Sequence, residues 1–335
     1  MISLEELTLK VKKRIEYERE NNLDIKYMEV SKAGLVAQII HNMKLQEYRG
    51  EEKPDAKMIY LGAPTGAGKD ILVRKLEQLE PNKRYVVLNM DIFRHYHSEI
   101  TGECGTILDK DYAKRTNQSS YEMYYLIQEL ILREFPGTNI IVTGTLKDLD
   151  WVKSIMKRYK EDSDTNYEVE LDTLAVEKNE SAFSIFERYL NLVDARDDSV
   201  RALRFTDIGY HEATTRDFIK NVRALEEDMK TEPEDKRLID GIKVFGRSKN
   251  IFDATENTTM YDSSYPERYG DSCIPVISKK MNTFATIDND RIERLLDILR
   301  RNKRYLISQG LYKDILDALK EILVSQLGTE EEIFQ

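Results

Sequence analysis

The chain has 335 residues, with 61 Asp plus Glu against 51 Lys plus Arg, a formal charge of −10 and 41% hydrophobic residues. This balance belongs to a soluble globular protein, long enough for one large α/β domain with attachments or for two domains. The acidic excess argues against a general nucleic-acid binder, the short apolar runs against a membrane span, and two cysteines with four histidines against a metal framework. Cys104 and Cys273 are far apart and the first residues hold no apolar signal core, so a reduced, cytoplasmic setting is expected.

Residues 1–56 read as a helical lead packing on the core. Ser3 with Glu6 fits a capping box, and Leu4, Leu7, Val11 and Ile15 follow at helical spacing. A second helix is expected over 30–46 with Leu35, Ile39 and Met43 inward, then a charged connector over 47–56. From residue 57 the texture changes. Buried strands are expected at 57–62, 84–89, 138–143 and 167–176, separated by helical patterns near 70–79, 116–134, 147–160 and 179–194. Such alternation predicts an α/β fold, a parallel sheet flanked by helices. A long amphipathic helix is expected over 207–230 and a strand and turn at the sheet edge over 241–252. Residues 255–285 read as polar loop. Helical periodicity returns over 288–327 through Ile292, Leu295, Leu296 and Leu299, then Ile315, Leu319 and Leu323. The expected division is a lead at 1–56, a core at 57–260, and a polar connector with a helical C-terminal extension at 261–335.

One motif carries chemistry by itself. Ala63-Pro64-Thr65-Gly66-Ala67-Gly68-Lys69-Asp70 follows the first strand and opens a helix. The phosphate-loop pattern is G-x-x-x-x-G-K-[ST]; here Ala63 takes its first position, with Gly62 just before. Gly66 and Gly68 let the backbone curl so that successive N–H groups point at phosphate oxygens, and the helix N-terminus behind them favours anions. Lys69 would bridge the β- and γ-phosphates. Strand, GK pair and helix together point to a P-loop NTPase or kinase-like sheet rather than a generic Gly-rich turn. Asp70 stands where Ser or Thr offers Mg²⁺ a hydroxyl. A carboxylate is a stronger ligand for that ion, yet it repels phosphates unless the metal lies between. Asp70 is therefore either a metal ligand or a mark of impaired nucleotide binding, and the ligand reading is favoured.

Further along, Asn89-Met90-Asp91-Ile92-Phe93-Arg94 ends the second strand, and Thr116 to Gln128 gives a Ser- and Tyr-rich helix. Val142-Thr143-Gly144-Thr145 ends the third strand. Phe186-Glu187-Arg188-Tyr189 lies on a later helix, Arg204 precedes Tyr210-His211-Glu212, and Ile242 to Arg247 follows. In this order and spacing the series resembles the zeta toxins of bacterial epsilon–zeta toxin–antitoxin systems, over roughly residues 20–260. The resemblance implies a small-molecule kinase using ATP and Mg²⁺ to phosphorylate the 3′-hydroxyl of UDP-N-acetylglucosamine, which blocks cell-wall precursor synthesis. It also implies an antitoxin protein that obstructs the nucleotide site.

Carried over by position, Lys69 is the loop lysine, Asp91 the general base, and Arg188 and Arg204 the clamp on the ATP phosphates. The chemistry suits Asp91: a carboxylate at the C-terminal end of a parallel strand faces the crevice where open α/β sheets bind ligands, and phosphoryl transfer needs a group to deprotonate the attacking hydroxyl. The same Asp also suits a helix N-cap. Arg188 suits a surface ion pair with Glu187, and Arg204 a solvated loop. On the substrate side the resemblance points to Ser119, Ser120 and Glu122, with Thr116 and Asn117 as neighbouring candidates. The competing reading is an exposed polar helix face. Thr145 would contact substrate or phosphate, and Arg94 is either a further phosphate contact or a helix N-terminal charge.

Zeta toxins commonly carry Glu where this chain has Thr143. Asp70 and Thr143 would face each other across the metal, so acid and hydroxyl are expected to have exchanged places. Two other readings stay open. One is a kinase of the same fold acting on another sugar nucleotide, a nucleoside or a polynucleotide end, the last disfavoured by the acidic balance. The other is a degenerate nucleotide-binding module acting through protein partners. The C-terminal helices could pack on the core, receive a partner or form an in-chain antitoxin-like segment.

Overall fold

A computed structural model describes residues 2–21, 26–44, 56–79, 83–103, 111–161, 165–195, 205–247 and 258–327. Helix α1 (Leu4–Glu20) starts where Ser3 Oγ accepts the Glu6 N–H at 3.1 Å. It buries Leu7, Val11 and Ile15, while Leu4, in the first turn, stays exposed. Helix α2 (Ala33–Asn42) is shorter than the expected 30–46 and follows a 3-10 turn at Val30–Lys32. Its buried face is Ala33, Val36, Ala37, Ile39 and Ile40; of the three residues expected inward Ile39 is buried, while Leu35 and Met43 are only half-buried. The segment is apolar nearly all round, so packing against α1 rather than periodicity selects the inward face.

Six strands form one sheet: β1 (Ala56–Gly62), β2 (Tyr85–Leu88), β3 (Asn139–Gly144), β4 (Tyr167–Ala175), β5 (Gly241–Gly246) and β6 (Thr258–Asp262), in the order β2-β3-β1-β4-β5-β6. The first five are parallel and β6 runs antiparallel to β5. Every residue of the central β1 is buried, as a parallel strand covered on both faces requires. The expected edge strand is not the edge. β5 ends at Gly246, and the true edge, β6, lies in the stretch read as loop. It has five residues, and its register against β5 shifts at Val244/Phe245, so its alternation is too brief to read.

The remaining helices are α3 (Lys69–Leu79), α4 (Met90–Phe93), α5 (His97–Thr101), α6 (Tyr112–Arg115), α7 (Asn117–Glu134), α8 (Leu149–Glu161), α9 (Lys178–Ala195), α10 (Ile208–Thr231), α11 (Pro266–Tyr269), α12 (Ile274–Asn282), α13 (Asn289–Arg301), α14 (Lys303–Ser308) and α15 (Tyr312–Leu327). On one sheet face Leu72, Val73 and Leu76 of α3 share a core with Ile59, Leu61, Ile141, Leu174 and Phe245. The opposite face, through Met58, Tyr60, Val142, Leu171 and Val244, shares a larger core with α1, α2, α7, α8, α10 and α12. A charged cluster interrupts the α3 face. Glu170 ion-pairs with Lys57 and Lys243, and burial together with the Glu170 charge pushes the neighbouring Asp172 well above the usual carboxylate range.

The C-terminal helices build a separate core. Ile292, Leu295 and Leu299 of α13, with Ile315, Leu319 and Leu323 of α15, pack on Phe183, Phe186, Tyr189 and Leu190 of α9. The extension therefore lies against the helix that the phosphate loop also touches.

Candidate functional site

The loop from Ala63 to Gly68 joins β1 to α3, and Gly66 and Gly68 both take positive φ, +78° and +95°. At Gly66 a side chain has no space either: a Cβ there would overlap the Ser181 carbonyl oxygen and press on Ile185 of α9. Lys69 opens α3 and folds back over the loop, its Nζ donating to the carbonyls of Ala63 at 3.1 Å and Pro64 at 3.4 Å. An ammonium over a curled loop at a helix N-terminus is the arrangement that receives a polyphosphate.

Two side chains that sequence reasoning did not assign hold this loop. Arg247, just past β5, donates from Nη1 to Gly66 O at 3.2 Å and to Ser184 Oγ at 3.1 Å. Burial lowers its guanidinium pKa, against the opposing charge of Glu180. His211, in the first turn of α10, is fully buried beneath the loop. Its Nε2 lies 3.3 Å from both Lys178 O and Ser181 Oγ, and its Nδ1 lies 3.3 Å from Thr65 Oγ1. A carbonyl only accepts, so Nε2 carries the proton and the Thr65 hydroxyl donates to Nδ1. Burial lowers the His211 pKa and keeps the ring neutral. The available signals were a basic residue at the C-terminal end of a sheet strand and one histidine among four; neither is specific.

Asp91 sits in α4 at the C-terminal end of β2, its backbone N–H held by Asn89 Oδ1 at 2.9 Å. Its carboxylate accepts from Arg94 Nε at 2.7 Å. Arg94 is fully buried and also donates to Ala113 O, Thr116 Oγ1 and Asn117 Oδ1. Its donors are committed to α4, α6 and α7, which corrects the expectation of a phosphate contact. Met90, next to Asp91 in the chain, lines a cavity of about 300 Å³ together with Asn117, Tyr121, Thr145, Lys147, Trp151 and Tyr210 among others; Asp91 itself does not line it. The loop carrying Thr145 is pinned from α10: Asn221 Nδ2 donates to Leu146 O at 2.7 Å and to Lys147 O at 3.0 Å. Lys147 Nζ stands 4.3 Å from the centroid of the Tyr210 ring. Consecutive residues of α10 thus serve both halves of the site, Tyr210 the cavity and His211 the loop.

The expected substrate residues divide. Thr145 and the neighbouring candidate Asn117 line the cavity. Ser119, Ser120 and Glu122 do not. Ser119 Oγ bonds His97 Nδ1 at 2.8 Å, Ser120 Oγ donates to Thr116 O, and Glu122 accepts the backbone N–H groups of Lys26, Tyr27 and Met28. Glu122 anchors the N-terminal lead, Ser119 holds α5 and Ser120 caps back onto its own chain, because the α7 face that meets the cavity runs through residues 117 and 121, one helical turn apart. Arg188 is exposed on α9, one turn beyond Ser184, and Arg204 lies outside the described residues.

Asp70 is exposed in the first turn of α3. Thr143 is buried, in register with Leu61 on the face that α3 covers. Among the described residues no cluster of three or more His, Cys, Asp and Glu side chains is arranged to hold a metal. One carboxylate and one hydroxyl fit Mg²⁺, which keeps several waters and takes few protein ligands beside substrate phosphates.

The sequence model of the zeta toxin family matches residues 42–264, two-thirds of the chain. The chain belongs to the zeta toxin family. Among solved structures it is similar to a chain from the PezAT chromosomal toxin–antitoxin system of the human pathogen Streptococcus pneumoniae, with 21% identity, 83% of this chain and 98% of that chain covered, and a TM-score of 0.58. It is also similar to a chain of the AvrRxo1-ORF1:ORF2 complex with ATP, with 12% identity, 92% and 94% coverage and a TM-score of 0.51. No curated protein sequence matches. At these identities the likeness is one of fold, a P-loop kinase-like sheet, and the zeta toxin match places the phosphate loop, Asp91 and the cavity within the family region. Helices α11 to α15 lie beyond its C-terminal end.

Proposed function

We propose that this zeta toxin family member is an ATP- and Mg²⁺-dependent kinase that phosphorylates the 3′-hydroxyl of UDP-N-acetylglucosamine and so inhibits cell-wall precursor synthesis. The observation that carries the reading is a curled, lysine-capped loop on the same sheet as a cavity walled by aromatic and polar side chains, with Asp91 and the cavity residue Asn117 joined to one buried arginine, Arg94. The loop amides and Lys69 would bind the ATP phosphates. Asp91, oriented by Arg94, would accept the proton of the attacking hydroxyl, whose oxygen bonds to the γ-phosphorus as ADP leaves. Asn117 and Thr145 would position the sugar, and Tyr121, Trp151 and Tyr210 offer flat apolar surface to a base or sugar ring. Arg188 and Arg204 would draw charge from the transferred phosphoryl group. Asp70 and Thr143 would hold Mg²⁺, which when bound offsets phosphate charge. The structural relatives come from toxin–antitoxin and two-protein complexes, one of them with ATP, which supports ATP as the donor and an antitoxin as a partner.

The test incubates the protein with ATP, Mg²⁺ and a panel of sugar nucleotides and nucleosides, and reads a mass gain of one phosphate. The expected product comes from UDP-N-acetylglucosamine and disappears with Asp91→Asn. Product from another hydroxyl alone would replace the substrate and keep the kinase. Neither binding nor hydrolysis of ATP would leave the degenerate partner-binding module, for which Asp70 and Thr143 are the supporting features.

A further inference from the structure

We infer that Arg291, on the C-terminal helix α13, is a positioning residue for the phosphate loop and acts through Glu180 and Arg247. Arg291 lies beyond the residues that match the family. The inference rests on reading the loop as a nucleotide-phosphate site.

The contacts form a line. Arg247 Nη1 holds Gly66 O at 3.2 Å and Ser184 Oγ at 3.1 Å. Its Nη2 stands 3.6 Å from Glu180 Oε1. That same oxygen accepts from Arg291 Nη1 at the shorter distance of 2.9 Å. Arg291 is fixed in turn by Glu187, with Nε to Oε1 at 3.1 Å and Nη2 to Oε2 at 2.8 Å. Burial works against the Arg291 charge, but the bonds to Glu187 and the charge of Glu180 outweigh it.

Glu180 therefore sits between two guanidinium groups and leans to Arg291. A carboxylate left with one cationic neighbour closes on it, because a charge-assisted pair is strongest near 2.8 Å. Without Arg291, Glu180 would draw Arg247 from the carbonyl of Gly66. That carbonyl belongs to a residue in the left-handed region, so the direction of its peptide depends on what holds it. Arg291 also screens Glu180 and Glu187, whose negative charge would otherwise add to the field on a bound polyphosphate. The C-terminal extension is thus part of the nucleotide site, through one arginine.

Docking of the extension does not depend on this arginine alone. Asn179 exchanges two hydrogen bonds with Ala285, Lys280 pairs with Glu177 at 2.6 Å, and α13 and α15 share an apolar core with α9. Arg291→Ala should fold.

The test titrates the full chain with a fluorescent ATP analogue and Mg²⁺. Arg291→Ala is expected to weaken binding about five- to tenfold, with a melting temperature close to wild type. Adding Glu180→Gln removes the carboxylate that captures Arg247 and should restore binding to within about twofold of wild type. A merely structural role gives the opposite sign, since the second substitution removes another ion pair. Unchanged binding in Arg291→Ala, or no recovery in the double variant, would overturn the inference. Arg291→Gln, which fills more of the space without charge, carries the same expectations if the alanine variant does not fold. Wild type that fails to bind the probe would overturn the reading of the loop itself, and that result is in hand before any variant is measured.

Discussion

Arg94 Nε donates to the Asp91 carboxylate at 2.7 Å while Nη1 and Nη2 of the same guanidinium bind Ala113 O, Thr116 and Asn117. A buried arginine thus ties the proposed base to the N-terminus of the helix that walls the cavity. Arg94→Ala strips these acceptors of their donors at once and is expected to cost about 2–4 kcal/mol of stability. Arg94→Lys keeps the charge but not the planar fork, so it should fold better and still lose phosphoryl transfer. Urea unfolding and product formation on the same samples separate the two effects. Wild-type activity in Arg94→Lys would mean that Asp91 does not depend on this contact.

Gly66 and Gly68 both have positive φ, but only Gly66 lies against another backbone. Gly66→Ala must move the loop off Ser181 of α9 or strain it, and should cost about 2–3 kcal/mol and most nucleotide binding. Gly68→Ala meets nothing closer than 3.7 Å and should cost only the left-handed conformation, about 1 kcal/mol. Thermal unfolding ranks the two; the reverse order would contradict the packing.

The phosphate loop could be read from the sequence because three local signals coincide: a buried apolar run, the Gly66-Gly68-Lys69 spacing and the helix after it. Strands β1, β2 and β3 were legible for the same reason, each built on a short apolar run, and β4 from its apolar residues between charged ones. The register of α7 was not. Its first turns are polar on every side, and only the packing of residues 26–28 against Glu122 decides that Asn117 and Tyr121 face the cavity. Arg94, Arg247 and Arg291 look alike in sequence to the many surface arginines. Much of what fixes them lies far along the chain, such as Ala113 for Arg94 and Gly66 for Arg247. The edge strand β6 is short and irregular, and periodicity needs length.

The exchange of acid and hydroxyl between loop and strand has a direct test. Asp70 is exposed at the start of α3, and Thr143 is buried in register with the residue before Gly62. Asp70→Thr should lower Mg²⁺-dependent turnover about 10- to 100-fold, because it removes the one carboxylate of the pair. Adding Thr143→Glu should return part of it by restoring the charge from the strand side. Turnover measured against Mg²⁺ concentration shows whether the loss lies in metal affinity. A double variant as poor as Asp70→Thr would rule out the exchange.

His211 gives the loop a pH dependence whose sign follows from its burial. Its folded-state pKa lies below the ordinary value of 6.5, so between the two values the unfolded chain binds more protons than the folded one. The stability that neutral His211 contributes is complete above about pH 6.5 and declines as the pH falls below it towards the folded value. His95 is shifted in the same direction by burial and acts in the same window. The difference between wild type and His211→Gln isolates His211, since glutamine keeps a donor and an acceptor and does not titrate. Denaturation midpoints at about pH 5.5 and pH 7.5 should fall further in wild type than in the variant. Nucleotide affinity should follow the same pattern. A proton on Nδ1 turns that nitrogen from acceptor to donor, so the Thr65 hydroxyl must rotate to accept from it, and a charge is buried beneath the loop. Parallel curves for the two proteins would show that the ring does not titrate against the loop.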